Sequence, residues 1–76
     1  MELQIGSFYI DNDEVVYRCI ALRGTPVYAE AVMEVMGDTS NTMLFCVFYR
    51  SNWAWMDRES PDYRLVEEVE YFPHLV

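Results

Sequence analysis

The chain has 76 residues, 53% of them hydrophobic and 16% aromatic, and its 13 acids against 5 bases give a net charge of −8. This length allows one domain, 1–76, with a thin core, and the apolar content excludes a disordered chain. All five bases are arginine, so direct binding of nucleic acid or of an anionic membrane is not expected, because both demand many cations at their phosphates.

Met1 is followed by Glu2, Leu3 and Gln4, which is not the basic start of a secretory signal. No apolar run approaches the roughly 20 residues that span a bilayer. A cytoplasmic location follows as the expectation, the host cytoplasm if the source is viral.

The run from Glu2 to Ile10 alternates, with Gly6 as a weak point. Asp11-Asn12-Asp13 reads as a turn, because short Asx side chains satisfy nearby backbone groups. It also begins like a calcium loop, but the position that needs glycine is Val16 and the position that needs glutamate is Leu22. Glu14 to Leu22 is rich in Val, Ile and Tyr, and the two runs predict a β-hairpin. Arg23-Gly24-Thr25-Pro26 ends it.

The segment from Val27 to Met36 predicts a helix. Val27, Tyr28, Ala31, Val32, Val35 and Met36 fall on one broad face, with Glu30, Met33 and Glu34 opposite. Thr25 is its N-cap, Pro26 its first residue and Gly37 its end. As a strand the segment alternates less cleanly, and Ala, Glu and Met are poor strand formers. A loop follows from Gly37 to Asn41.

Thr42 to Arg50 is the clearest strand. Met43, Phe45, Val47 and Tyr49 face one way, and Leu44, Cys46 and Phe48 the other. A strand apolar on both faces is central, or its second face is covered by a helix or a partner. Ser51-Asn52 turns the chain into a short strand from Trp53 to Asp57, a second hairpin. After Glu59-Ser60-Pro61-Asp62 the spacing of Leu65, Val69 and Phe72 admits a helix. A strand from Arg64 to Tyr71, with Leu65, Val69 and Tyr71 inward and Pro73 as its end, is preferred. The expected fold class is α+β: a small antiparallel sheet of four to five strands with one helix, about 26–36, packed on it. If that segment is a strand, the same elements make a five-stranded, all-β SH3-like barrel.

Chemistry is sparse. Cys19 and Cys46 lie in apolar runs without partners at metal spacing, so two reduced thiols are expected in preference to a disulfide. His74, the single histidine, reads as a solvated tail residue. No base stands ready to activate a nucleophile, and there is no glycine-rich phosphate loop and no zinc spacing. No enzyme, cofactor or metal is expected, with Asp57, Glu59 and Asp62 as the alternative for a weakly held divalent ion.

The candidate site is a surface. Trp53 and Trp55, two apart on a strand, point to one side, and tryptophan is enriched at binding hot spots. After them come Asp57, Glu59, Asp62, Glu67, Glu68 and Glu70, six of the 13 acids within 14 residues. Same-face carboxylates on a strand repeat at about 7 Å, a spacing comparable with that of nucleic-acid phosphates. With Tyr49 these are the expected partner-binding residues. In size and acidity the chain is similar to the small inhibitors that phages and mobile elements direct against host nucleic-acid machinery. That likeness implies a non-enzymatic decoy, a nucleic-acid mimic occupying the basic surface of a partner protein. The alternative is an ordinary interaction module or homodimer whose acids serve only solubility.

Overall fold

A computed structural model describes residues 1–25, 28–37 and 44–71. Six strands form one antiparallel sheet: β1 (Phe8–Asp11), β2 (Val16–Gly24), β3 (Ala29–Val35), β4 (Phe45–Ser51), β5 (Ala54–Asp57) and β6 (Leu65–Val69). Their order is β5-β4-β3-β2-β1-β6. The outermost strands meet at one bridge, Met56 with Arg64, beside which the Asp57 N–H donates to the Tyr63 carbonyl at 2.9 Å. The sheet therefore curls into a nearly closed barrel.

No helix exists among the described residues, which overturns the α+β expectation in favour of the all-β barrel, with six strands instead of five. The segment expected to be helical is β3, the strand between β2 and β4. Its alternation is better than it looked. Ala31 and Met33 are buried, while Glu30 and Glu34 face outward and reach Arg23 and Arg18 on β2. Pairing along both edges and two cross-strand ion pairs supply what strand propensity lacks. Pro26, Val27, residues 38–43, Pro73 and His74 lie outside the described residues.

The first hairpin forms as expected, from Phe8 opposite Arg18 to Ile10 opposite Val16. Its turn is built on Asp11. One carboxylate oxygen accepts from the N–H groups of Asp13 (2.8 Å) and Val15 (2.9 Å), and the other accepts from the Tyr17 hydroxyl at 2.8 Å. Asp11 is only 3% exposed, and a carboxylate so placed is tolerable because its oxygens are bonded. Asn12 then ties this turn to the β5–β6 loop. It donates from its backbone to the Arg64 carbonyl and from its side chain to the Asp62 carbonyl, and accepts from the Arg64 N–H.

In β2 the register shifts between Cys19 and Ala21, a bulge at Ile20. Before it Tyr17 and Cys19 point inward; beyond it Leu22 and Gly24 take the inward positions, opposite Ala31 and Ala29. Gly24 has φ +128° and a Cβ there would run into the Tyr28 carbonyl, so glycine is required. The core comprises Leu3, Tyr9, Tyr17, Cys19, Ala31, Met33, Phe48, Trp55 and Leu65. The Tyr17 and Phe48 rings meet edge-to-face at 5.1 Å, and small Ala31 opposite Phe48 leaves the ring its space. No helix of the described residues is long and apolar enough to cross a membrane.

Candidate protein-interaction surface

The structure separates the expected site residues. Trp53 and Trp55 do not share a strand face. Ser51 pairs with Ala54, so Asn52 and Trp53 are the two central residues of the β4–β5 turn, at φ 51° and 69°. Positive φ at both positions matches the right-handed twist of a two-residue hairpin. Trp53 is 77% exposed, whereas Trp55 on β5 is 2% exposed and its indole N–H donates to the Met1 carbonyl at 3.2 Å. Trp55 is a core residue. The Arg50 guanidinium links the pair, 5.5 Å from the Trp53 ring and 5.7 Å from the Trp55 ring. Tyr49 lies half-buried on the outer face of β4, opposite Glu30 and Met56.

The acids lie elsewhere. Asp57 ends β5, about 13 Å along the strand from Trp53 at 3.3 Å per residue, and its carboxylate caps the Glu59 N–H at 2.9 Å. Glu59 and Asp62 are exposed in the following loop, which Asn12 holds against the first turn. Among the described residues no group of three His, Cys, Asp or Glu side chains is placed to hold a metal ion. Glu67 lies opposite Ile10 and Glu68 opposite Tyr9, so strand alternation sends these two carboxylates to opposite sides. Both are exposed because β6 flanks the seam, and Glu70 follows them, also exposed.

The charges are segregated by strand. On the outer wall of β2, β3 and β4, Arg18 bonds Glu34 at 3.0 Å and Arg23 bonds Glu30 at 2.7 Å. The Arg23 guanidinium and the Tyr28 hydroxyl, in that order of effect, hold the Glu30 carboxyl below its usual range. On the opposite side, neither β1 nor β6 carries a basic residue. The acids of β6 and of the loop before it therefore stand with only Arg58 and Arg64 as basic neighbours in sequence.

Both thiols are free. Cys19 and Cys46 each lie opposite Met33, two strands apart; at about 4.8 Å per strand their backbones are too distant for a disulfide. Burial pushes both thiols above their ordinary value, which keeps them protonated and poor nucleophiles. The chain matches no known protein family, and no curated protein and no solved structure matches it.

The sequence reading missed Arg50, which the alternation of β4 placed among inward apolar residues. It also missed the outer wall around Val32 and Val47. The signal for the wall was the second apolar face of β4.

Proposed function

We propose that this chain is a non-enzymatic acidic interaction domain that occupies a basic, nucleic-acid-binding surface of a partner protein in the cytoplasm. The observation that carries the reading is the segregation of charge. Arginines are consumed by glutamates on the β2–β4 wall, while Glu67, Glu68 and Glu70 on the β6 side and Glu59 and Asp62 at the loop are left exposed. Exposed charge of one sign raises the rate of encounter with its opposite, and an aromatic contact lengthens the lifetime of the complex. Trp53 is the aromatic that supports this role, since a bulky residue held at positive φ and turned to solvent gains little from the fold beyond its contact with Arg50.

The test takes the partner recovered from the native host and measures association with increasing salt. The expected result is an on-rate that falls steeply with salt, release of nucleic acid from the partner on binding, and at least a tenfold slower association for the variant Glu67→Gln, Glu68→Gln, Glu70→Gln. A salt-independent on-rate together with an unaffected triple variant would show that the acids serve only solubility.

A further inference from the structure

The outer wall of β2, β3 and β4 has no covering element among the described residues, yet its rows are ordered. From the register, one row is Arg18, Glu34, Phe45; the next is Ala21, Val32, Val47; the third is Arg23, Glu30, Tyr49. Each charged row therefore runs cation, anion, aromatic from β2 to β4, and the middle row is apolar throughout. Phe45 is 50% exposed, and a shallow groove of about 180 Å³ runs between Val32, Val47 and Arg58. The glutamates are only 13% exposed beneath arginines that are 42% and 79% exposed, so the wall presents guanidinium groups and apolar surface.

We infer that this wall is the interface of a homodimer, two copies packed face to face about a two-fold axis parallel to β3. Such an axis lays β2 of one copy over β4 of the other. Arg18 then meets the copy's Phe45, Arg23 meets its Tyr49, Ala21 meets its Val47, and Val32 meets its own counterpart on the axis. Guanidinium groups favour the faces of aromatic rings, so the cation and aromatic ends of each row are mutually complementary. The glutamates meet their counterparts only through the arginines laid across them. Charge permits the same orientation. The three rows hold two arginines against two glutamates, a neutral face in a chain of −8, and at the edge of the wall Arg58 stands beside Asp57 and Glu59. Packing by this wall therefore brings no net like charge together, whereas the β6 side of each copy is acidic. Packing by this wall is isologous, as a two-fold dimer requires, and leaves the β6 side of both copies free. The inference stands whether or not the proposed function holds.

Sedimentation equilibrium of the wild-type chain from about 10 µM to about 1 mM spans the range in which a small interface of this kind dissociates. The expected mass rises from that of one 9.0 kDa chain toward twice that value. Val32→Glu places two carboxylates on the axis and should raise the dissociation constant at least tenfold. Arg23→Gln, at a 79% exposed side chain that cannot unfold the barrel, should raise it about threefold. Facing sheets lie about 10 Å apart, so Val32→Cys should be joined to its copy by a short bismaleimide. Wild type, with its own two cysteines, and Val66→Cys, on the other side of the barrel, should not be. A wild-type chain that stays monomeric to the highest concentration overturns the proposal. So does cross-linking of Val32→Cys no faster than of Val66→Cys.

Discussion

The Tyr17 hydroxyl donates to the Asp11 carboxylate a proton that the barrel cannot give up easily. Burial first, and then the hydrogen bond to the Asp11 carboxylate, push the Tyr17 hydroxyl upward from its ordinary 10.0. The folded chain keeps this proton at pH values where the unfolded chain releases it. The stability that depends on it is complete below about pH 10 and is lost as pH rises further. Tyr17→Phe should remove that alkaline loss, and at neutral pH it should cost about 1–3 kcal/mol by leaving one Asp11 oxygen without its donor. Urea midpoints of both proteins at neutral and strongly alkaline pH measure this. Cys19 and Cys46 shift in the same direction, so the readout is the difference between variant and parent. Equal alkaline losses in the two would refute the assignment.

At the scale of elements, the β4–β5 turn sets local strain against exposure. Left-handed backbone costs a non-glycine residue about 1–2 kcal/mol, and an exposed cation–π contact with Arg50 returns about 0.5–1. Trp53→Gly should therefore melt no lower than the parent, gaining up to about 1 kcal/mol, while it weakens binding to the partner. A clear loss of stability would mean that Trp53 is structural. The same turn shows how far the sequence could be read. Both hairpins, the Asx turn at Asp11 and the strand after Pro61 were legible, because alternation and short polar clusters are local signals. The position of Trp53 was not, since strand spacing cannot tell the last turn residue from the first strand residue. β3 was misread because Ala, Glu and Met carry helical propensity locally. Its true partners, Arg18, Arg23 and Phe48, lie 16, 7 and 17 residues from the residues they contact, Glu34, Glu30 and Ala31. The acids were legible as a cluster in sequence, but alternation along β6 and the length of β5 disperse them over two sides and one end.

The whole molecule carries its charge unevenly, and salt should act on it in two opposed ways. Repulsion among exposed acids destabilises the compact state, and screening shortens the reach of that repulsion from about 30 Å at 0.01 M salt to about 8 Å at 0.15 M. The melting temperature should rise by a few degrees over this interval, while association with a basic partner slows. If melting is flat or falls instead, the short-range ion pairs of the β2–β4 wall outweigh the repulsion elsewhere.

The bulge at Ile20 gives β2 two halves of opposite parity. Substitutions can tune the inner or the outer surface of either half, but none can exchange them. A single-residue deletion at Ile20 would remove the bulge and leave regular pairing, with Ala21 and Arg23 still outward and Leu22 and Gly24 still inward. Divergence of this chain by loss of a residue is therefore open at its loops and, within β2, at Ile20, where the count of residues can change without exchanging the wetted side chains for the buried ones.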